Sequence, residues 1–600
     1  MDDVQRHAFD VVVVGAGGAG LRAAIEASER GARVAVVCKS LLGKAHTVMA
    51  EGGIAAAMGN VYPEDSWQVH FRDTMRGGKM LNHWRMAQLH AQEAPDRVRE
   101  LEDWGALFDR TPDGLISQRD FGGHRYARLA HVGDRTGLEL IRTLQQRTVA
   151  LGIEVFMECT VTRLLTGDDG AIAGAFGYRR VDGSFLAFAA PTVILATGGI
   201  GKSYTVTSNS WEYTGDGHAL ALQAGATLVN MEFVQFHPTG MVWPPSVRGI
   251  LVTESVRGDG GVLKNAGGKR FMFDYIPEYF RAETSDSEAE ADRWYTDKKN
   301  NRRPPELLPR DEVARAINSE VKAGRGSPHG GVFLDIASRR DPEFIRKRLP
   351  SMYHQFKELA EVDITAEAME VGPTCHYVMG GVEVDAESAA AVVPGLYAAG
   401  EVAGGMHGSN RLGGNSLSDL LVFGKRAGAA AAAFAATRPA PALAEEQLTA
   451  GVAAALAPFS SSGGANPYAL WHELQETMNA LVGIIRSAGE VSEALATIER
   501  LKARAGEVTV SGGRVYNPGW HLALDLPNLL RVSECVARAA LERQESRGGH
   551  TRDDFPLPST EWAQLNVICS LTKDAAGIAL TRQALPVMPA ELARIFEEHA

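Results

Sequence analysis

Short apolar runs that end in glycine-rich turns recur along the chain. Residues 9–20, FDVVVVGAGGAG, have the pattern of a buried strand that leads into a glycine turn. Residues 21–32, LRAAIEASERGA, have the spacing of an amphipathic helix, and residues 33–40, RVAVVCKS, form a second apolar run. The order strand, helix, strand predicts a βαβ unit with parallel strands.

Two later segments repeat the strand-and-glycine pattern. They are TVILATGG at 192–199 and GLYAAGEVAGG at 395–405. We therefore predict one nucleotide-binding domain built from residues 1–235 and 364–435, with an inserted domain at 236–363. The pattern is mostly helical over 436–547, and a less regular tail follows at 548–600. Within the insertion, the polar, charge-rich stretch 282–306 is expected to be a surface excursion or mobile loop.

Composition narrows the function classes. The 600 residues are 45% hydrophobic, and the formal net charge of −12 disfavours a nucleic-acid partner, because phosphate binding needs clustered lysine and arginine. The five cysteines include no Cys-x-x-Cys pair, which predicts reduced thiols and no structural metal, iron–sulfur cluster or disulfide framework. No apolar run approaches the roughly 18 residues that span a bilayer. If the protein works at a membrane, another chain must hold it there.

The turn GAGGAG, from Gly15 to Gly20, fits the pattern G-x-G-x-x-G between a strand and a helix. Such a turn lets the backbone approach a pyrophosphate, whose charge the helix N-terminus faces. The acidic residue expected about 20 positions later for the ribose is absent, because the second strand runs into Cys38, Lys39 and Ser40. Lys39 would suit NADP. The later glycine-ended strands, and the lack of a second such turn, favour a long, extended FAD.

Five polar clusters stand beside glycine or proline, where loops carry functional sites. Their sequences are VQFHPTG, LVTESVRGDGG, LPRDEVARA, GPTCHYVMGG and HGSNRLGGNSLSDL. A single histidine is more often a hydrogen-bonded core residue, and a single arginine more often a salt-bridge partner. Several arginines, two histidines and a threonine together would suit a small dicarboxylate, because arginine forks bind carboxylates through two parallel bonds. Their spacing does not match that of a metal site. The sequence also lacks the G-x-S-x-G elbow of a serine hydrolase, which disfavours that class of enzyme.

On these motifs, and on AHTVMAEGGIAA at 45–56, the chain resembles the flavoprotein subunits of succinate dehydrogenase and fumarate reductase over most of its length. The resemblance implies an α/β fold. It consists of a Rossmann-like FAD-binding domain in separated segments, an inserted α+β capping domain that closes over the site, and a C-terminal helical domain.

The resemblance also implies how FAD is held. In membrane-linked members the histidine of H-T-V-x-A-x-G-G bonds covalently to the flavin, and His46 stands at that position. This tether would raise the reduction potential of the flavin, which must accept a hydride from succinate, a poor reductant. The other implied FAD contacts are Gly15, Ala16, Gly17, Gly18, Ala19, Gly20, Cys38, Lys39, Ser40, Thr47, Gly52, Gly53, Ala196, Thr197, Gly198, Asp216, Glu401, Ser416 and Leu417.

The same resemblance assigns the substrate site and the acid–base chemistry. The residues implied around a dicarboxylate are His237, Thr253, His376 and Arg411. Arg310 corresponds to the proton-transfer residue, and Glu254 and Arg257 to the relay that supplies it. From residue chemistry alone, histidine or glutamate would be the expected acid–base group, because free arginine stays protonated. The implied reaction interconverts succinate and fumarate by hydride transfer to or from the flavin.

Partners and location follow from the resemblance as well. Electrons would pass to an iron–sulfur subunit, since this chain has no cysteine cluster, and then to a quinone through membrane anchor subunits. The protein would lie peripherally on the cytoplasmic face of a bacterial cell membrane, with no transmembrane segment of its own. Some positions depart from the common pattern, among them Leu138 and Ser255. They leave the proposed catalytic residues unchanged.

Three alternatives remain open at this stage. L-Aspartate oxidase shares many motifs, including ESRGGHTRDDFP, but usually lacks a histidine at the position of His46. A soluble fumarate reductase with non-covalent FAD would need a separate electron donor, because the chain has no C-x-x-C-H haem motif. A non-enzymatic flavin scaffold is the least favoured, since it would not need both arginines and both histidines.

Overall fold

Strands and helices alternate through the first half of the chain in the computed structural model, which describes residues 4–460 and 463–598. The strands are β1 (Val4–Ala8), β2 (Val11–Val14), β3 (Val34–Val37), β4 (Ile54–Ala55), β5 (Gln118–Arg119), β6 (Leu129–Ala130), β7 (Glu154–Phe156), β8 (Cys159–Thr166), β9 (Ile172–Arg179), β10 (Phe185–Ala189), β11 (Thr192–Leu195), β12 (Leu228–Val229), β13 (Val234–Met241), β14 (Val262–Lys264), β15 (Val332–Asp335), β16 (Met369–Val378), β17 (Gly381–Val382), β18 (Leu396–Ala398), β19 (Leu565–Leu571) and β20 (Ile578–Ala584).

The α-helices carry most of the second half of the chain. They are α1 (Gly18–Glu29), α2 (Trp67–Gly77), α3 (Trp84–Asp103), α4 (Thr136–Ala150), α5 (Asp216–Gln223), α6 (Ser255–Gly258), α7 (Glu288–Trp294), α8 (Arg310–Lys322), α9 (Pro342–Arg348), α10 (Pro350–Ala360), α11 (Asn415–Ala435), α12 (Glu445–Ser460), α13 (Pro467–Leu481), α14 (Ala488–Ala505), α15 (Pro518–Glu542) and α16 (Ala590–Glu598).

The predicted parallel sheet is present and has the order β18-β11-β2-β3-β7. Its strands pair in parallel throughout, with Val11–Val14 between β11 and β3. Continuous apolar strands suit such a sheet because helices cover both of its faces. Helices α1 and α11 pack against each other beside it. The α/β fold class and the segmented nucleotide-binding fold are therefore confirmed.

The inserted region contains a second, antiparallel sheet of order β13-β16-β15-β14, packed with α8, α9 and α10. Strand β13 crosses the start of the expected range 236–363, whereas β16 lies beyond its end. The polar stretch 282–306 differs from the expected loop, because it contains α7 and buries the Trp294 side chain. The charge-rich composition of this stretch gave no indication that its indole would be buried.

Helices α12 to α15 form the predicted C-terminal helical region. The tail, expected to be less regular, folds into the hairpin β19–β20 and ends in α16. Strand β19 pairs with β12, so the tail completes a sheet that begins more than 300 residues earlier. Across residues 4–460 and 463–598, no helix has the length and hydropathy needed to cross a bilayer.

Candidate functional site

A long cavity runs along the carboxyl ends of the parallel strands, where α/β folds bind nucleotides. It begins at the turn between β2 and α1. Gly15 has a φ of +114°, and a Cβ there would lie 2.2 Å from the Ala196 carbonyl oxygen. The N-cap residue Gly17 has no side chain to cap α1, and the first turn carries no acidic residue, although Thr47 Oγ1 accepts from the Gly18 N–H at 3.2 Å. The positive end of this helix therefore fits a pyrophosphate group, as FAD would supply.

The structure brings nearly all of the predicted site residues to this cavity. Of the cofactor, substrate and relay residues expected from the sequence, all but Gly20 and Arg257 line it. Gly20 packs behind the turn instead. A Cβ at this position would lie 1.9 Å from the Gly15 carbonyl oxygen, so only glycine fits there. Arg257 lies behind Glu254 and is fully buried. The roles of these residues stay predictions, but their convergence is a property of the fold.

Lys39 follows strand β3 and lines the cavity there, and its ammonium is ion-paired with two carboxylates. Its Nζ lies 2.9 Å from Asp216 Oδ2 and 2.7 Å from Asp525 Oδ1; both aspartates are buried, and the Lys39 side chain is only 10% exposed. Burial disfavours the charged lysine, but the two carboxylates outweigh it and raise its pKa. A lysine engaged by two carboxylates is not free to bind a 2′-phosphate. The NADP alternative therefore loses the observation that supported it.

His46 begins the short 3₁₀ helix His46–Met49, which lies against the N-terminus of α4. Its ring makes an edge contact with Tyr213 at a centroid distance of 4.7 Å, and Nε2 lies 3.4 Å from Asn209 Nδ2. Its Nδ1 is buried without a hydrogen-bond partner in the described structure. Burial, aided by the Lys202 ammonium, lowers the pKa of His46 to about 4. The imidazole is therefore neutral at physiological pH, as a nucleophile must be.

Two guanidinium groups meet at the opposite end of the cavity. The Gln235 side-chain oxygen accepts from Arg411 Nη2 at 3.1 Å and from Arg310 Nη1 at 3.4 Å. Arg411 also donates from Nη1 to Ser416 Oγ at 2.7 Å and lies 4.3 Å above the Tyr377 ring. Its Nε is buried without a partner in the described residues. This arginine is thus rigidly held while part of its donor capacity is unused.

Two histidines complete this end of the cavity. The rings of His237 and His376 lie 5.3 Å apart, on the paired strands β13 and β16. Ser208 Oγ lies 2.7 Å from His376 Nδ1, and His237 Nδ1 lies 3.0 Å from the Thr239 carbonyl oxygen. Burial, followed by the neighbouring arginines, lowers the pKa of both rings well below the usual range. Both histidines are therefore neutral hydrogen-bonding groups.

Glu254 connects the two arginines of the predicted relay. Its Oε2 accepts from Arg310 Nε at 3.0 Å and lies 3.8 Å from Arg257 Nη2, while its Oε1 accepts from the Gly122 N–H at 2.8 Å. Burial would raise the pKa of Glu254, but the two guanidiniums outweigh burial and lower it. Glu254 is thus an ionised carboxylate, each of whose oxygens accepts a hydrogen bond inside the protein.

The charges at this end do not balance. Within the cluster of Arg257, Arg310, Arg411 and Glu254, three positive charges face one negative charge, a net of two positive charges. Burial raises the pKa of Glu401 to about 8 and that of Glu51 well above its usual range, so neither carboxyl offsets this excess at neutral pH. Excess buried charge is costly unless it is paired. A dianionic ligand would supply the missing pair.

Several residues of the site escaped the sequence reasoning. Gln235 and Tyr377 occupy motifs that were recognised, but only the fold shows that they hold Arg411. Ser208 contacts His376 and Tyr213 contacts His46, and neither residue was predicted to belong to the site. Closeness in sequence to a predicted histidine was the available clue, because Gln235 lies two residues before His237 and Tyr377 directly follows His376. In the part of the chain that the structure describes, no group of three or more His, Cys, Asp and Glu side chains could hold a metal ion.

Comparisons with known proteins agree with this site. The family described as FAD binding domain matches residues 10–417, and the family described as fumarate reductase flavoprotein C-term matches residues 471–593. The solved structure of Mycobacterium smegmatis Sdh1 in complex with UQ1 is 62% identical, with a TM-score of 0.87, covering 99% of this chain and 97% of its own.

Two curated relatives extend the comparison. One chain of the fumarate reductase (CoM/CoB) of Methanothermobacter marburgensis is 44% identical over 92% of this chain and 95% of its own length. The succinate dehydrogenase flavoprotein subunit of Rickettsia bellii is 36% identical over 94% of this chain and 93% of its own. These names do not favour the aspartate oxidase or soluble reductase alternatives.

Proposed function

The chain belongs to the family of FAD-dependent oxidoreductases formed by the flavoprotein subunits of succinate dehydrogenases and fumarate reductases, and from this premise we propose that it interconverts succinate and fumarate. The excess of two buried positive charges at one end of the cavity carries the proposal, because either dicarboxylate would neutralise it. The neutral histidines favour such a ligand, since they donate hydrogen bonds without adding charge.

In this proposal the two carboxylates bind at separate groups. Arg411 and His376 bind one carboxylate, and His237 and Thr253 bind the other. Bound FAD supplies the hydride chemistry, accepting the hydride from succinate or donating it to fumarate. The protein contributes orientation, because Gln235 and Tyr377 fix Arg411 before the substrate arrives. Holding the reacting carbon in place supplies a large part of the rate enhancement.

Arg310 carries the proton in the proposed reaction. During succinate oxidation its guanidinium takes the proton from the carbon next to the hydride donor while it passes one of its own protons to Glu254. The contact of 3.0 Å between Arg310 Nε and Glu254 supports this exchange, and Arg257 stabilises the carboxylate between turnovers. In fumarate reduction the same steps run in reverse.

We also propose that FAD is covalently attached to His46. The neutral ring, its unpartnered Nδ1 and its position on the cavity wall support this role. After acid denaturation and gel electrophoresis, flavin fluorescence should remain with the wild-type chain and disappear in His46→Ser. His83→Ser is the control, because His83 is also partly buried but does not line the cavity. Flavin released from wild-type protein purified from its native host would contradict the covalent bond.

The edge of the site near His46 supports docking of an iron–sulfur subunit. Five large apolar side chains there are each 45–49% exposed: Leu41, Met49, Leu138, Met157 and Trp211. Backbone bonds connect their segments, from Glu158 N–H to the Ser40 oxygen at 3.1 Å and from Gly137 N–H to the Ala50 oxygen at 2.6 Å. Such a patch is typical of an interface. Its position beside the flavin would shorten the path of an electron to the partner, which membrane anchor subunits would hold at the cytoplasmic face of the membrane.

The region 236–363 would serve as the capping domain. It carries Arg310 and Thr253, whereas Arg411 and Glu401 lie on the nucleotide-binding part. Closing it over the cavity would exclude water and assemble the substrate groups. Ser351, at the start of α10, already donates through its N–H and hydroxyl to the Asp134 carboxylate across this boundary, at 2.9 Å in each case.

The activity is tested with the purified complex, succinate and an artificial electron acceptor. We expect dye reduction that depends on succinate and is abolished in Arg310→Ala while FAD remains bound. The matched control is Arg248→Ala, because Arg248 is an exposed arginine of the same region. Wild-type protein that holds FAD and never oxidises succinate or reduces fumarate would refute the proposal.

A further inference from the structure

The relay from Arg310 through Glu254 does not continue to solvent at Arg257. Arg257 is fully buried, and its Nη1 donates to the Glu306 carbonyl oxygen. The Tyr295 hydroxyl lies beside the same residue and donates to the backbone carbonyl oxygen of Arg257 at 2.8 Å. Burial raises the pKa of Tyr295 above its usual range, so this phenol holds its proton tightly. Both covering groups belong to the stretch 282–306, which thus seals the relay on that side.

A second, small cavity touches Glu254 from another direction. It is lined by Asp120, Phe121, Glu254, Gly258, Arg303 and Leu307. It has room for about one water molecule, and two carboxylates and a guanidinium in its wall give that water the polar partners it needs. Arg257 is fully buried, whereas the wall of this cavity includes partly exposed groups.

Asp120 stands at the outer side of this small cavity. Its side chain is 21% exposed and is ion-paired with Lys298, which is 42% exposed. Two residues later, the Gly122 N–H donates to Glu254 Oε1 at 2.8 Å, so one short loop both fixes the relay carboxylate and presents Asp120. Arg303 is held by its Nη2 bond of 3.0 Å to the His124 carbonyl oxygen. The stretch 282–306 thus closes one route and contributes Arg303 to the wall of another.

We propose that Asp120 exchanges protons between solvent and Glu254 through a water molecule in this small cavity, an inference that rests on the proposed function. In succinate oxidation, Glu254 receives a proton from Arg310 and returns to its carboxylate form by giving that proton to the water. The water passes one proton to Asp120, which releases it to bulk solvent. In fumarate reduction the proton travels inward by the same steps. Each oxygen regains its starting state, so no further reactant is needed.

The test compares Asp120→Asn with two matched variants in the FAD-loaded complex. Asp113→Asn removes an exposed carboxylate of the preceding turn, and Lys298→Met removes the same ion pair while leaving the Asp120 carboxylate. For dye-linked fumarate reduction we expect Asp120→Asn to lower kcat by about tenfold or more, with KM within about twofold. We also expect a larger solvent isotope effect on kcat and partial rescue by imidazole, a small proton carrier. Both matched variants should stay within about twofold of wild type.

The outcomes separate this inference from the proposed function. Wild-type protein without succinate or fumarate turnover would refute the proposed function itself. If wild type turns over and Asp120→Asn matches it in kcat and isotope effect, only the Asp120 route is wrong. An equal loss in Lys298→Met, or a loss in Asp120→Asn that imidazole does not restore, would indicate that the ion pair merely holds the two segments together, and would also overturn the route.

Discussion

Arg411 offers a quantitative test of the dicarboxylate site, through the substitution Arg411→Lys. Lysine keeps a positive charge but loses the planar fork that binds a carboxylate through two parallel bonds. Two of the five N–H groups of Arg411 are engaged by Gln235 and Ser416, so enough donors remain for a bidentate contact. Losing one charge-assisted bond of that pair should cost about 1.5–3 kcal/mol. At about 1.4 kcal/mol per decade, kcat/KM for succinate should fall by about 10- to 150-fold.

The pH dependence adds a second signature. Burial, followed by the charge of Arg310, lowers the pKa of Arg411 to about 10, so the arginine stays charged at neutral pH. A lysine in the same place starts from a lower pKa, and burial lowers it further. The deficit of Arg411→Lys should therefore grow as pH rises and the lysine loses its proton.

The assay is steady-state dye reduction from pH 6 to 9, together with malonate binding followed by flavin absorbance. Arg426→Lys is the control, because Arg426 lies on α11, the helix that follows Arg411, but pairs with Glu93 and Glu387 outside the cavity. FAD content must remain equal in all three proteins. An Arg411→Lys enzyme with kcat/KM within about threefold of wild type, or with unchanged malonate affinity, would refute a carboxylate fork at Arg411.

Two further predictions concern the cofactor end. Glu401 is neutral below its raised pKa of about 8 and ionised above it. In His46→Ser protein, the affinity for FAD should therefore fall as pH rises through that value. The additional substitution Glu401→Gln should remove this pH dependence. Fluorescence titration of FAD release from pH 6.5 to 9.5 measures the effect, and parallel curves for the two proteins would contradict it. Lys39→Met leaves Asp216 and Asp525 buried without their cation, which should cost about 3–5 kcal/mol of stability. Its urea midpoint should drop while that of exposed Lys347→Met does not, and coincident midpoints would exclude a stabilising role for the pair.

The regular parts of the fold could be predicted from the chain because their signals are local. The four valines of β2 are buried on both faces, and a continuous apolar run of that length before a glycine turn has few other interpretations. The tail was harder, since β19 acquires its sheet partner from β12, far away in sequence. The register of such pairing is fixed by tertiary contacts that no short window contains.

The candidate site, like the fold, was predictable where the signal is local and not where it depends on distant residues. Motif residues such as His237 and Arg411 could be selected individually, and the fold brings them to one cavity. Gln235 gives no comparable signal, because its role depends on two distant arginines, one at the start of α8 and one in the loop before α11. The polar stretch 282–306 is largely exposed, as expected of a surface excursion, but it also contains α7. Its composition suggested a solvated loop, while Trp294 and Tyr295 anchor it beside Arg257.

The order of strands in the parallel sheet also determines when FAD can be captured during synthesis. Strand β11 pairs with β2 on one side and with β18 on the other, so the ribosome must complete residue 398 before the sheet gains its last strand. The contacts that build the cavity are separated by up to about 400 residues, and such distant pairing is slow because long loops must close first. The nascent chain therefore exposes β2 and the Gly15 turn long before their partners emerge. We expect flavin loading to be a late event on a nearly complete polypeptide, which chaperones must protect until then.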